Sequence, residues 1–148
     1  MKKAFIGLGS NISNPVSQIL RAIEEIRSHR EINLLKSSSL YKSLPIGPQD
    51  QDDFINAVIK VETTLSPLEL LNELHVLEET HHRKRITKWG PRSLDLDILM
   101  FENIVMKTEK LSLPHPQMSY RDFVLIPLLE ITHKNFIITG SKKLREYL

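Results

Sequence analysis

Hydrophobic spacing along the chain switches between periods of two and 3.6 residues in the order strand, helix, strand, strand, helix, strand. That order predicts an α+β protein, a ferredoxin-like α/β sandwich with a mainly antiparallel sheet and additional strands and helices. Adjacent strand-like runs argue against a wholly parallel sheet. With 148 residues the chain has room for one proper core but not two, so a single domain over residues 1–148 is expected.

Each element has its own warrant. Ala4, Ile6 and Leu8 alternate with Lys3, Phe5 and Gly7, a first strand ending at the glycines. Asn14-Pro15 places a helix cap before proline at the first helical position. Val16, Ile19, Leu20, Ile23 and Ile26 then follow at helical spacing over residues 15–28. A second strand is expected over 34–41, and a Pro/Gly-rich, polar loop over 45–53. From 54 to 62 the period is two, with Ile55, Ala57, Ile59 and Val61 on one face and Phe54, Asn56, Val58 and Lys60 on the other. Ser66-Pro67-Leu68-Glu69 is a capping box opening a helix that Leu68, Leu71, Leu74 and Leu77 continue. A basic loop over about 81–92, a strand over 94–101, a short strand near Leu111, a helical stretch after Ser119 and a polar C-terminal end complete the chain.

Composition narrows the chemistry. Hydrophobic residues make up 41% and charged ones 26%, ordinary for a soluble globular protein. The formal net charge is only +2, so anion binding has to come from local clustering. The absence of cysteine excludes disulfides, thiolate zinc sites and thiol catalysis. The apolar run at the N-terminus is too short for a signal peptide, and no segment reaches the ~18 apolar residues of a membrane span. A soluble, cytoplasmic protein is expected, with no membrane partner.

The strongest local signal is Asp95-Leu96-Asp97. Residues two apart in a strand share a face, so both carboxylates project together while Leu94, Leu96 and Ile98 point to the core. A divalent cation would relieve their repulsion, and magnesium is commonly held by one or two carboxylates completed by substrate phosphates and water. An acidic, solvated strand face is the competing reading. Residues 81–92 add five Lys or Arg and no acidic residue. Guanidinium groups beside metal-type carboxylates form the charge arrangement of phosphoryl transfer, although a charge run alone is usually a solvated loop. Trp89, the single tryptophan, either caps a core edge or stacks on a planar ring. Gly7-Leu8-Gly9 is a tight turn or a weak nucleotide-loop signal, since Ile12 stands where the dinucleotide fingerprint needs glycine. Phe54 and Asn56 form a stacking and hydrogen-bonding pair for a heterocycle, or a minor apolar cluster. His115, between two prolines, is rigidly set and poorly suited to mobile acid–base work.

The run Lys88-Trp89-Gly90-Pro91-Arg92-Ser93-Leu94-Asp95-Leu96-Asp97-Ile98-Leu99 closely resembles the signature of the hydroxymethyldihydropterin pyrophosphokinases. Gly9-Ser10-Asn11, Gly47-Pro48-Gln49-Asp50-Gln51, Phe54-Ile55-Asn56-Ala57, Pro114-His115-Pro116 and the stretch from Arg121 to Leu128 extend the resemblance over nearly the whole chain. The resemblance implies a ferredoxin-like fold and transfer of pyrophosphate from ATP to 6-hydroxymethyl-7,8-dihydropterin, with release of AMP, in folate biosynthesis. It implies two Mg²⁺ ions on Asp95 and Asp97, phosphate grips at Arg83 and Arg85, and Arg92 near the transferred group. Phe54 and Phe123 would sandwich the pterin, with Asn56 and the backbone near Leu44 and Ile46 at its edge, and Trp89 and Arg121 closing over it. Glu78, Ile98, Lys110, Leu111, Ser112 and His115 would line the ATP pocket, some through backbone. Partners are then the two small-molecule substrates, with no nucleic acid, and a monomer is expected. Departures from the family pattern are His82 in place of a frequent glycine, Lys88 in place of arginine, and Ser93 in place of threonine. A non-catalytic RNA-binding module and a nucleotide sensor are the rival classes; the sequence has no RNP-like aromatic motif to support the first.

Overall fold

The sheet is assembled on β1 (Lys2–Ser10), whose alternating apolar residues make one face of the strand adhesive. The computed structural model describes residues 1–12, 14–44, 52–81, 93–133, 135–140 and 143–147. Around β1 are α1 (Pro15–Arg27), β2 (Ile32–Ser37), β3 (Tyr41–Ser43), β4 (Phe54–Thr63), α2 (Pro67–Thr80), β5 (Asp95–Phe101), β6 (Met106–Lys107), β7 (Ser112–Leu113) and α3 (Asp122–Glu130). The main sheet runs β2-β4-β1-β5, with β3 also on β4, and its pairings are antiparallel. This is the split βαβ arrangement predicted from element order. No helix among the described residues is long and apolar enough to cross a membrane.

Register sorts the side chains. Ala4, Ile6 and Leu8 lie opposite Val61, Ile59 and Ala57, and this face packs against Ile19, Ala22, Ile23 and Ile26 of α1 and Leu70 and Leu74 of α2. Truncating one such fully buried side chain to alanine typically costs about 2–5 kcal/mol. The opposite face carries Phe5, Val58, Leu99 and Met100, which α3 covers with Val124, Leu125 and Leu128. Ile138 and Leu144 join that second core, so the C-terminal end expected to be polar contributes apolar anchors.

Several boundaries depart from expectation. β1 does not stop at the glycines but runs through Gly7 and Gly9 to Ser10, because both pair in register with β4 and β5. Asn14 has φ 61° and makes no side-chain cap, so proline alone marks the start of α1. Leu20 is 52% exposed and Leu68 46% exposed, which turns the apolar stripe of each helix away from those leucines. The Ser66–Glu69 capping box is present in both directions. The strand expected over 34–41 is two pieces along one edge of β4. Ser38 bridges the break, its N–H donating to the Val58 carbonyl and its Oγ accepting from the Val58 N–H, 2.9 Å each. β5 carries a bulge at Leu99, since Phe5 faces Met100 while Ile6 faces Ile98. The extra residue returns Phe101 to the same core as Ile98 despite an odd spacing.

Two polar links tie the layers together. His81 caps α2 and is 2% exposed, so it belongs to the fold rather than to a solvated basic loop. Its Nδ1 meets Arg21 at 3.0 Å and Gln18 Oε1 at 2.5 Å, and its Nε2 meets Glu25 Oε1 at 2.5 Å, so one imidazole ties the end of α2 to three residues of α1. At the other face Glu130, on α3, accepts from the Ser39 N–H, the Ser39 hydroxyl and the Tyr41 hydroxyl. The Tyr41 hydroxyl first, and Ser39 after it, hold the Glu130 carboxyl below its ordinary value, while the same carboxylate raises the Tyr41 phenol. A lowered carboxylate contributes stability above its unfolded value that is lost as pH falls through the folded one. Glu130→Gln is therefore expected to lower the thermal midpoint at pH 7 by a few degrees, as loss of about 1 kcal/mol of hydrogen bonding would. The gap from the parent protein should shrink in thermal scans below about pH 4, where unperturbed carboxylates are protonated too.

Candidate active site

The half of the second sheet face that α3 leaves uncovered opens into a cleft of about 750 Å³. It runs over the ends of β4, β1 and β5, then round the β5 edge to α2 and the β6–β7 hairpin. Asp95 and Asp97 line it together, half-buried, on the strand face opposite Leu96 and Ile98. Gly9 lies opposite Asp95 and Gly7 opposite Asp97, so the neighbouring strand offers no side chain beside either carboxylate.

The backbone between the aspartates is held from outside the sheet. β5 is an edge strand, and Glu78, 5% exposed, accepts the Leu96 N–H at 2.8 Å. Glu78 thus lines the cleft while satisfying an edge donor that would otherwise be buried without a strand partner. The Gly9-Ser10-Asn11 block also stitches loop ends together. Ser10 Oγ donates to the Ser93 carbonyl at 2.5 Å, and Asn11 Nδ2 donates to the Asp52 carbonyl at 2.9 Å. Both side chains are buried, which makes the block an anchored strand end rather than a phosphate loop.

At the other end of the cleft Phe54 and Asn56 share a face of β4. Asn56 is 4% exposed and its Nδ2 donates to Ser43 Oγ at 2.7 Å, which fixes the direction of its carbonyl oxygen. Phe123, Arg121 and the 75% exposed Leu44 line the same end. The Arg121 guanidinium lies over the Phe123 ring, 5.6 Å from its centre, and is hydrogen-bonded to Gln117. Lys110, Leu111, Ser112 and His115 line the hairpin side. Ile98 and Leu111 border the cleft but keep their side chains in the helix-side core, a placement that suits backbone contact. The His115 N–H donates to the carbonyl of the bulge residue Leu99 at 2.8 Å, and its Nδ1 accepts from the Gln117 N–H. Burial, then the Arg121 charge, push the His115 imidazole below its ordinary value against a smaller opposing pull from Asp95. The neutral ring then carries its proton on Nε2.

Every expected site residue that the structure describes therefore borders one cleft. Ile46, Arg83, Arg85, Trp89 and Arg92 lie outside the described residues, as do His82 and Lys88. The sequence does not place at the site Ser43, whose hydroxyl orients Asn56, or His75 and the helix-stripe residue Leu71, which line the cleft one helical turn apart on α2. The i, i+4 spacing of Leu71 and His75 was the available signal for the latter pair. Among the described residues no group of three or more His, Cys, Asp or Glu could hold a metal ion. The donor set is thus two carboxylates on one strand face. It fits a hard, oxygen-preferring cation that shares its shell with substrate oxygens and water, not a closed protein cage.

Fold and cleft together define a ferredoxin-like α+β protein that displays a carboxylate pair beside a ring-sized aromatic and amide pocket. The chain belongs to the 7,8-dihydro-6-hydroxymethylpterin-pyrophosphokinase (HPPK) family, whose family model matches residues 5–133. It is 45% identical over 146 residues to the 2-amino-4-hydroxy-6-hydroxymethyldihydropteridine pyrophosphokinase of Haemophilus influenzae, covering 99% of this chain and 91% of that one. The enzyme of the same name from Aquifex aeolicus is 40% identical over 147 residues, with 99% and 91% covered. Among solved structures, an HPPK-DHPS in complex with substrates superposes with a TM-score of 0.75 at 14% identity, over 99% of this chain and 42% of the other. A Plasmodium falciparum HPPK-DHPS with pteroate gives 0.74 at 16% identity, over 99% and 41%. This chain spans less than half of those structures, and the likeness speaks to the fold.

The edge bond from Glu78 has a measurable consequence. Glu78→Ala strands the Leu96 N–H and is expected to cost about 1–3 kcal/mol of folding free energy, read from the urea midpoint. Glu78→Gln keeps an acceptor and should lose less. Equal midpoints for the parent and Glu78→Ala would remove Glu78 as the support of this strand.

Proposed function

We propose that the cleft binds ATP and 6-hydroxymethyl-7,8-dihydropterin side by side, and that Asp95 and Asp97 hold Mg²⁺, two ions when ATP is bound. The chain transfers pyrophosphate from ATP to 6-hydroxymethyl-7,8-dihydropterin in folate biosynthesis, with ATP as co-substrate. The observation that carries the site reading is the shared cleft: the carboxylate pair at one end, and Phe54, Asn56 and Phe123 at the other.

In this reading the pterin lies between Phe54 and Phe123, its edge met by the Asn56 carbonyl and by backbone near Leu44 and Ile46. Trp89 and Arg121 close over it. Glu78, Ile98, Lys110, Leu111, Ser112 and His115 border ATP, with the His115 Nε2–H a neutral donor to phosphate oxygen. Arg83, Arg85 and Arg92 supply guanidinium groups to phosphate, a role implied by the resemblance to the family and supported by the basic composition of their segment. The hydroxymethyl oxygen bonds to the β-phosphorus as the bond from that phosphorus to the α,β-bridging oxygen breaks. AMP leaves, and the hydroxyl proton passes to solvent or a carboxylate. Bound Mg²⁺ would neutralise charge on the bridging and non-bridging oxygens. The protein's task is to align two substrates and exclude water, which requires no strong general base. Activity as a cytoplasmic, single-domain monomer completes the proposal.

The test is AMP formation from ATP and 6-hydroxymethyl-7,8-dihydropterin with and without magnesium. AMP should appear only when pterin and magnesium are both present. Asp97→Ala should lower turnover by about two orders of magnitude or more at saturating magnesium. Near-normal turnover of that variant would sink the metal assignment, and AMP release without pterin would sink the acceptor.

A further inference from the structure

Asn56, Gly9 and Asp95 form one row across three adjacent strands, since Gly9 pairs with Asn56 on one side and Asp95 on the other. Two strand spacings separate the outer pair by about 10 Å between Cα atoms. All three line the cleft. The reading proposed above places the pterin ring at Asn56 and the phosphate-bearing metal at Asp95. The C6 arm of the pterin then has to cross the middle of the row.

Gly9 is not required there by its backbone. It is a paired strand residue outside the left-handed region, which among the described glycines only Gly140 occupies. A Cβ on Gly9 would meet the Asn56 Oδ1 at 3.5 Å and the Phe54 Cδ1 at 3.7 Å, ordinary contacts that need no backbone movement. Alanine is also the better strand residue, because glycine loses more conformational freedom on folding. The methyl group would nevertheless stand against Oδ1, the atom that the Ser43 bond to Nδ2 leaves for a ligand. It would rise into the space between Asn56 and Asp95. Gly7, one row along, differs, since a Cβ there would meet the Leu99 side chain leaning over it at 3.4 Å. A strand glycine with no conformational need marks a close approach by something else.

We infer that Gly9 is a specificity-determining position: its bare Cα is the saddle over which the hydroxymethyl arm passes from the ring site to the phosphate site. The inference rests on the cleft reading given above, and the two fail differently. Calorimetry would compare the parent and Gly9→Ala for three probes, namely a magnesium complex of a non-hydrolysable ATP analogue, unsubstituted pterin, and 6-hydroxymethylpterin. Gly9→Ala should keep the parent's thermal midpoint and, within threefold, its affinity for the ATP analogue, and should weaken unsubstituted pterin less than 6-hydroxymethylpterin. It should bind 6-hydroxymethylpterin at least tenfold more weakly, and lose about 100-fold in kcat/KM for the dihydropterin substrate, the scale of a small misplacement. Unchanged affinity and turnover, or equal loss of both pterins in a folded variant, would overturn the inference. Failure of the parent to bind either pterin would overturn the cleft reading and this inference with it. NMR of the parent gives a check that does not depend on the variant folding. 6-Hydroxymethylpterin should show nuclear Overhauser contacts from its C6 methylene to the Gly9 α-protons, and their absence in the bound complex would exclude the saddle.

Discussion

β1 is paired on both sides, and its two-residue period divides the protein into a packed face and a working face. Ala4, Ile6 and Leu8 bind the sheet to α1 and α2. Phe5 lies under the second core, Leu99 leans over Gly7, and Gly9 leaves the end of that face bare. A one-residue slip of β1 would exchange the faces, bury the glycines and expose Ala4, Ile6 and Leu8. The site is therefore the end of a strand whose other face pins the register.

The same economy explains the acidic pair. Two carboxylates on an edge strand tend to repel and fray, yet β5 is gripped from three directions. β1 pairs with it through the Leu99 bulge, Glu78 occupies the Leu96 N–H, and the His115 N–H reaches the Leu99 carbonyl. Ser10 fastens the chain just before β5 through the Ser93 carbonyl. These bonds spend backbone groups only, so the Asp95 and Asp97 side chains are set in place by a strand that other residues support.

Much of this was legible in the sequence because local period and core agree. The alternation at 54–62 separated Phe54 and Asn56 from Ile55, Ala57, Ile59 and Val61, and the structure keeps that division. Asp95-Leu96-Asp97 declared its shared face in the same way. The bulge at Leu99 was not legible, because Ile98, Leu99, Met100 and Phe101 are all apolar and carry no period. The helix stripes were legible at Ile19, Ile23, Ile26 and Leu74, with Leu71 and Leu77 half-buried against the same core. Leucines spaced by three fit several faces, however, and only packing turns Leu68 outward and brings Leu70 and Glu78 in. His81 looked like the start of a charge run, while its partners Arg21 and Glu25 lie far away in sequence. Side chains that support the site through long-range bonds, such as Ser43 on Asn56, leave no local trace.

The most direct measurement of the site is a crystal structure with 6-hydroxymethylpterin, a non-hydrolysable ATP analogue and magnesium. The ring should lie between Phe54 and Phe123 with its edge at Asn56, the hydroxymethyl group above Gly9, and metal density against both Asp95 and Asp97. A ring seated elsewhere, or metal density that touches neither aspartate while both ligands are bound, would contradict this arrangement.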